Sequence, residues 1–120
     1  MNKKTLVLGA SPNPQRYAWK AVVALQKHGH EVVPVGNRAG EIGGQPILLG
    51  KPKVEGVDTI TLYLGEDRQP DFYDWIYSLK PRRLIFNPGA ENRQFFQAAR
   101  ERGIEVEEAC TLVMLSIGVF

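Results

Sequence analysis

A short apolar strand, a glycine turn and a helix follow one another near the start of the sequence. Residues 5–8 (Thr-Leu-Val-Leu) form the apolar run, and Gly9 ends it. Apolar side chains of helical period begin at Ala18, which predicts a helix over residues 17–28. A strand that turns through glycine into a helix presents backbone N–H groups and the positive end of the helix dipole at one point. The stretch therefore predicts a phosphate site, around which the rest of the chain completes a pocket.

Length and charge exclude several classes of protein. The 120 residues fit one domain, so we expect residues 1–120 to form a single domain, and 43% hydrophobic residues suffice for its core. The net charge of +2, from 15 basic and 13 acidic side chains, disfavours a nucleic-acid binder. No apolar run reaches the roughly 20 residues that cross a bilayer. There is no sign of a signal peptide either, so we expect a cytoplasmic protein with no membrane partner.

The chain has too few cysteines and histidines to favour a metal site or a disulfide. Cys110 is the only cysteine, which excludes an intrachain disulfide and a thiolate cluster. The two histidines, His28 and His30, flank Gly29 and suggest no zinc site. We expect both at the end of the first helix, where a partly cationic imidazole suits the negative end of the helix dipole.

The remaining chain alternates between strand and helix patterns. Further strands are predicted at residues 31–35, 58–64, 83–86 and 104–106, a short extended piece at 45–49, and helices at 69–80, 91–102 and 109–117. Continuous apolar strands alternating with helices predict an α/β, Rossmann-like fold: a doubly wound, mainly parallel five-stranded sheet with helices on both faces. The favoured strand order is 3-2-1-4-5, and Pro34 places the second strand near an edge or in a bulge. Ligands of such sheets bind at the carboxyl ends of the strands.

The turn after the first strand departs from the dinucleotide fingerprint. G-x-G-x-x-G would need two later glycines, whereas this chain has Gly9-x-Ser11 followed by Pro-Asn-Pro14. The second strand leads into Arg38 with no carboxylate to bind a ribose diol, which disfavours NAD. An arginine there suits a phosphorylated ribose, as in NADP or coenzyme A. Taken alone, the motif is equally consistent with a tight turn in which Ser11 is a local cap.

Residues 87–92 (Asn-Pro-Gly-Ala-Glu-Asn) follow the fourth strand and could line the far side of the same pocket. Their Pro-Gly pair also suits a type II turn, and Asn or Glu could cap the next helix. Catalytic groups are scarce: Ser11 and Cys110 have no obvious base, and Cys110 fits a small buried apolar residue. We therefore predict no catalytic residue.

The chain resembles a known family over essentially its whole length. The family is that of small stand-alone CoA-binding proteins, which are similar to the N-terminal, CoA-binding domain of the succinyl-CoA synthetase alpha subunit. The order and spacing of several segments carry the resemblance: residues 6–14, 29–35, 41–44, 57–58, 87–92 and 109–111. The resemblance implies a Rossmann-like fold that binds coenzyme A along its strand ends.

Within that resemblance, the pyrophosphate of coenzyme A would lie at Gly9-Ala10-Ser11 and the first turn after it. Arg38 falls near the phosphates, and the loop at Leu64–Gly65 near the adenine or pantetheine. The chain departs from many family members in having Gly36-Asn37 where they have Asn-Pro. The stand-alone proteins also lack the phosphohistidine and nucleotide-grasp domains of the synthetase, so ligase activity is not implied.

These arguments lead to one prediction and two alternatives. We predict a non-catalytic protein that binds a small-molecule nucleotide cofactor, coenzyme A or an acyl-CoA. The predicted site comprises Gly9, Ala10, Ser11, Pro14, Arg16, Tyr17, Arg38, Leu64, Gly65, Asn87, Pro88 and Gly89. The alternatives are an NADP-binding reductase, for which 120 residues leave little room, and a ligand-free regulatory or interaction module.

Overall fold

Strands and helices alternate along the chain. The computed structural model describes residues 2–120. Its elements are β1 (Thr5–Leu8), α1 (Tyr17–Lys27), β2 (Val32–Gly36), β3 (Glu41–Ile42), β4 (Gln45–Pro46), β5 (Leu48–Leu49), β6 (Thr59–Leu62), α2 (Tyr73–Ser78), β7 (Arg83–Phe86), α3 (Arg93–Glu101), β8 (Glu105–Glu108) and α4 (Thr111–Ser116). Two short 3-10 turns, Glu66–Arg68 and Pro70–Phe72, precede α2. None of the helices in this part of the chain has the length and apolar character needed to cross a membrane.

Six strands form one parallel sheet in the order β5-β2-β1-β6-β7-β8. Thr5 of β1 pairs with Val32 of β2 on one side and with Thr59 of β6 on the other, both in parallel. The short strands β3 and β4 form a separate antiparallel pair. This is the doubly wound α/β architecture with Rossmann-like topology, and the predicted fold class is confirmed.

Two details of the predicted sheet are wrong. The sheet has six strands rather than five, because Leu48 and Leu49 of the short extended piece pair with Val35 and Gly36 as the edge strand β5. The five predicted strands also run in the order 2-1-3-4-5, because the third of them, β6, pairs with β1. The place beside β2 that was predicted for β6 is taken by β5. Pro34 pairs with Val7 of β1 and lies beyond the reach of β5, so its predicted position near an edge is confirmed.

Helices cover both faces of the sheet. On one face Leu6 of β1 belongs to a buried cluster that includes Phe95 of α3. On the other face Val7 of the same strand packs in a cluster with Val22 of α1 and Met114 of α4. Since successive side chains of a strand point to opposite faces, β1 is buried at every position, which explains the apolar run over residues 6–8.

The predicted helices are present, but their first and last residues differ from the prediction. The helix expected over residues 69–80 is divided into the 3-10 turn Pro70–Phe72 and α2, which begins at Tyr73. Asn92 caps α3, since its Oδ1 accepts a hydrogen bond from the Phe95 N–H (3.1 Å). The last apolar segment is the helix α4, as favoured. The strand β8 forms the second edge of the sheet and carries glutamate at three of its four positions.

The two histidines differ from each other. His28 ends α1, and its Nδ1 lies 2.8 Å from the carbonyl oxygen of Ala24, as expected for a residue at the helix end. The Nδ1 of His30 instead accepts a hydrogen bond from the Lys3 N–H (2.9 Å), and its ring contacts Phe120 at 5.0 Å between centroids. Burial, followed by the charge of Lys3, lowers the pKa of His30. The prediction of a partly cationic imidazole is therefore wrong for His30.

Candidate functional site

A cavity of about 710 Å³ lies at the carboxyl ends of β2, β1 and β6. At this end of the sheet the strand order reverses, because β2 lies on one side of β1 and β6 on the other. Ligands of doubly wound folds usually bind at such a point. Loops after all three strands contribute to the lining, and the loop after β7 adds one residue. The lining consists of Leu8, Gly9, Ala10, Ser11, Asn13, Gln15, Arg16, Tyr17, Ala18, Val35, Gly36, Asn37, Arg38, Gly50, Tyr63, Leu64, Arg68, Phe72 and Pro88.

The turn after β1 is held by the neighbouring strands. The N–H groups of Gly9 and Ala10 both donate to the carbonyl oxygen of Val35 at 2.9 Å. Gly9 has φ +100°, and a Cβ at this position would lie 3.0 Å from the carbonyl carbon of Tyr63. Only glycine satisfies both the conformation and the close approach. The turn is therefore rigid, but two of the N–H groups expected to face a phosphate are already bonded within the protein.

The free donors of this region lie at the start of α1. Arg16 is the N-cap residue, no side chain among residues 2–120 caps the helix, and its first turn contains no acidic residue. The first N–H groups of a helix have no partner within it. Ser11 does not cap α1, because its Oγ accepts a hydrogen bond from the Asn13 N–H (3.1 Å) inside the loop. The N-terminus of α1 is thus open to an anion at the edge of the cavity.

Three arginines line the cavity. Arg16 follows β1, Arg38 follows β2 and Arg68 follows β6, so each of three adjacent strands contributes one guanidinium. None of the three forms an ion pair with the residues described, 2–120. Within the same part of the chain no aspartate or glutamate lines the cavity. The site is therefore cationic with no internal counter-charge, which suits a ligand with several negative charges.

Most of the predicted site residues meet in this cavity. Those that line it are Gly9, Ala10, Ser11, Arg16, Tyr17, Arg38, Leu64 and Pro88. Pro14, Gly65, Asn87 and Gly89 adjoin lining residues in sequence but do not themselves line it. Gly65 precedes the first 3-10 turn, and the Gly89 N–H donates to Glu91 Oε1 (2.9 Å).

Asn87 is a buried residue that does not line the cavity. Its Nδ2 donates to Thr61 Oγ1 (2.6 Å) and to the carbonyl oxygen of Leu62 (2.9 Å). Its Oδ1 accepts from the Thr111 N–H (2.9 Å), and the Thr111 and Thr61 hydroxyls lie 2.7 Å apart. One side chain thereby ties β6 to the end of β7 and to the start of α4. Asn87 was predicted to contact the ligand, whereas its side chain bonds to protein groups.

Several lining residues were not predicted from the sequence, chiefly Arg68, Tyr63 and Phe72. The loop expected at this sheet edge was residues 64–67, and Arg68 is the next residue along the chain. The 3-10 turn Glu66–Arg68 brings it to the cavity. Treating the loop as open until the first residue of a regular helix would have included it.

The chemistry available to the cavity is limited. The Tyr63 hydroxyl is buried and has no hydrogen-bond partner among the residues described, and burial raises the pKa of this phenol. The phenol therefore stays protonated at neutral pH. Cys110 is half-buried at the start of α4 and does not line the cavity. In the described residues no three or more His, Cys, Asp or Glu side chains are grouped so that they could hold a metal ion.

Solved structures share this fold. One that is described as an uncharacterized protein is 51% identical, with a TM-score of 0.97 over 100% of this chain and 99% of that chain. A Thermus thermophilus protein, described as cell-free ID.343, is 25% identical, with a TM-score of 0.86 over 98% of this chain and 90% of its own. A hypothetical protein from Pyrococcus horikoshii OT3 is 23% identical, with a TM-score of 0.85 over 96% and 82% of the two chains, and shows the fold alone. No curated protein matches the sequence significantly.

The sequence also matches a protein family whose description is CoA binding domain. The match extends over residues 3–116, and so includes every element from β1 to α4. This chain therefore belongs to the CoA binding domain family.

Proposed function

We propose that the chain acts as one domain that binds coenzyme A or an acyl-CoA in the cavity at the strand ends, and that it performs no chemistry on this ligand. The observation that carries the proposal is a set of three arginines that form no ion pair with the described residues, in a cavity to which those residues contribute no carboxylate. Coenzyme A carries two phosphates in its pyrophosphate and a third on its ribose. A cavity with a guanidinium at each of three adjacent strand ends matches that charge distribution. Membership of the CoA binding domain family supports the same ligand.

The open start of α1 suits the pyrophosphate. The helix N-terminus provides backbone donors, and the guanidinium of its cap residue, Arg16, borders the same cavity. Arg38 lies after β2, where folds of this type contact the ribose, and suits the 3′-phosphate. The remaining chain of the ligand would extend past Leu64 and Pro88, which line the side of the cavity toward β7.

We propose that the domain is not catalytic because the described side chains that line the cavity offer no suitable acid or base. General acid–base chemistry needs a group whose pKa lies near the working pH. The pKa of the Tyr63 phenol is instead raised by burial, and the Ser11 hydroxyl accepts a hydrogen bond within its own loop. In the part of the chain that the structure describes, neither hydroxyl donates a hydrogen bond to a base. A reductase that uses NADP would need such a donor beside its nicotinamide.

Calorimetry with coenzyme A, dephospho-CoA and NADP tests the proposal. We expect coenzyme A to bind, and dephospho-CoA to bind about tenfold more weakly, because one charge-assisted contact is lost. Arg38→Ala should weaken coenzyme A and remove the difference between the two ligands. Arg93→Ala, a change of an exposed arginine on α3 that does not line the cavity, is the matched control and should leave both affinities unchanged.

Other outcomes of the same titrations would contradict the proposal. If coenzyme A does not bind at millimolar concentration, the domain is not a CoA-binding protein. A ligand-free module would in addition show no thermal shift with any nucleotide. If NADP binds more tightly than coenzyme A, and NADPH is oxidised in the presence of mixed carbonyl compounds, the reductase alternative is correct.

A further inference from the structure

Gln69 is a fully buried polar residue between the two 3-10 turns that follow β6. Its Nε2 donates to the carbonyl oxygens of Leu64 (2.9 Å) and Ala90 (2.8 Å). Its Oε1 accepts from Asn92 Nδ2 (2.9 Å). One carboxamide therefore connects the loop after β6 with the loop after β7. Because all of these groups are buried, each would be costly to leave without a partner.

The residue before Gln69 is Arg68, which lines the cavity. Its backbone N–H donates to the carbonyl oxygen of Gly65 (3.0 Å) and closes the turn Glu66–Arg68. That turn has no side-chain cap of its own. Gln69, the next residue in the chain, therefore fixes the position of Arg68. Its hydrogen bond to Leu64 holds the start of the same loop.

We propose that Arg68 is a phosphate-binding residue of this site, and that Gln69 is the positioning residue that holds its turn beside the cavity. The inference rests on the proposed function, since the ligand in question is coenzyme A. It assigns a phosphate contact to the β6 side of the site, where the resemblance to CoA-binding proteins implies only that Leu64–Gly65 lies near the adenine or pantetheine.

The strand order explains how an arginine on the β6 side of the cavity would contribute to binding. Arg38 and Arg68 follow β2 and β6, which flank β1, and Arg16 follows β1 itself. Adjacent strands lie about 4.8 Å apart, so the three strand ends span roughly 10 Å. A ligand whose phosphates lie across α1 would meet Arg38 on one side and Arg68 on the other. An arginine side chain loses rotamer freedom when it binds, so a fixed backbone beneath it reduces the total ordering cost.

A double-mutant cycle on coenzyme A affinity tests both parts of the inference. Arg68→Gln should weaken coenzyme A about tenfold and reduce the dependence of the affinity on salt, because one ionic contact is lost. Gln69→Leu should weaken binding by a similar factor in the natural background, since the turn is no longer anchored. In the Arg68→Gln background Gln69→Leu should have almost no further effect on affinity.

A control variant and a milder variant distinguish a role of Gln69 in positioning Arg68 from a general loss of stability. Ile76→Val removes one buried methyl group from α2 and should lower stability without changing affinity or its salt dependence. Should Gln69→Leu not fold, Asn92→Ser keeps a capping hydroxyl for α3 but removes the donor to Gln69 Oε1, and it should also weaken binding only when Arg68 is present.

Two results would overturn the inference while leaving the proposed function intact. One is coenzyme A binding that is unchanged by Arg68→Gln. The other is a pair of effects at positions 68 and 69 that simply add, which would make Gln69 a structural residue with no role through Arg68. Failure of the natural protein to bind coenzyme A would instead overturn the proposed function and this inference together.

Discussion

The end of β2 and the turn after β1 are in direct contact, because Gly36 lies against the carbonyl oxygen of Ala10. A Cβ on Gly36 would overlap that oxygen. Both residues line the cavity. The absence of a side chain at position 36 therefore sets how closely β2 approaches the turn that borders the helix N-terminus.

Gly36→Ala should lower the free energy of unfolding by about 2 kcal/mol, because the methyl group forces the Ala10 peptide to move. It should also weaken coenzyme A, since the displaced peptide lies in the binding site. Urea denaturation and calorimetry give the two values. Gly44→Ala is the comparison: Gly44 has φ +83° but open space around it, so its cost of about 1 kcal/mol comes from conformation alone and leaves affinity unchanged. Equal affinities in the two variants would contradict the prediction.

Asn87→Ala should cost about 3 kcal/mol of unfolding free energy. The change leaves the Leu62 carbonyl and the Thr111 N–H without their partners in a buried region, and it opens a small void. Urea unfolding followed by circular dichroism measures the loss. Asn37→Ala, at an exposed position, should change stability by less than about 0.5 kcal/mol. A loss of under 1 kcal/mol at position 87 would show that the network does not stabilise the fold.

Tyr63→Phe should leave stability unchanged to within about 0.5 kcal/mol, or raise it. The hydroxyl that it removes is buried without a partner among the residues described, so no hydrogen bond is lost. Thr61→Val removes a hydroxyl of the same region that bonds to both Asn87 and Thr111, and should cost about 2 kcal/mol. Thermal unfolding of the two variants side by side makes the comparison. Similar losses in both would mean that the Tyr63 hydroxyl is bonded in solution.

The stability of the protein should fall as the pH drops below about 6.5 because of His30. Its Nδ1 accepts a hydrogen bond from the Lys3 N–H, which requires the neutral ring, and burial together with the charges of Lys3, His28 and Arg83 lowers its pKa. The unfolded chain therefore binds the proton more readily than the folded one. The contribution is complete above the unfolded pKa and is lost as the pH falls through the folded pKa.

Urea midpoints at pH 7.5 and pH 5.0 measure this effect, in a range above the titration of ordinary carboxylates. His30→Gln should remove most of the difference between the two midpoints. His28→Gln should retain it, because the His28 ring sits at the exposed end of α1. A pH dependence that persists in His30→Gln would assign it to another group.

The fold was largely predictable because its central strands are buried on both faces. β1 and β6 are buried at every position, so their runs of apolar and β-branched residues are uninterrupted. The strand order was less predictable, since it depends on which neighbour each strand pairs with. Leu48 and Leu49 show this: the sequence predicts a short extended piece at residues 45–49 but not its pairing with β2, which occupies the position expected for β6.

The site was predictable where local motifs define it and unpredictable where tertiary bonds do. Arg16 and Arg38 stand in turns that directly follow strand patterns. Arg68 reaches the cavity through a short turn that is anchored by Gln69, and the bonds of Gln69 to Ala90 and Asn92 join residues that are 21 and 23 positions away. The bonded N–H groups of Gly9 and Ala10 were missed for the same reason, because their acceptor belongs to β2.

The two edges of the sheet bear on how the protein behaves at high concentration. An exposed edge strand can recruit the edge of another molecule, and short or charged edges oppose this. β5 offers only two residues for pairing, and β8 carries Glu105, Glu107 and Glu108. Two molecules that met along β8 would bring six carboxylates together. The charge of β8 therefore opposes fibril growth through this edge.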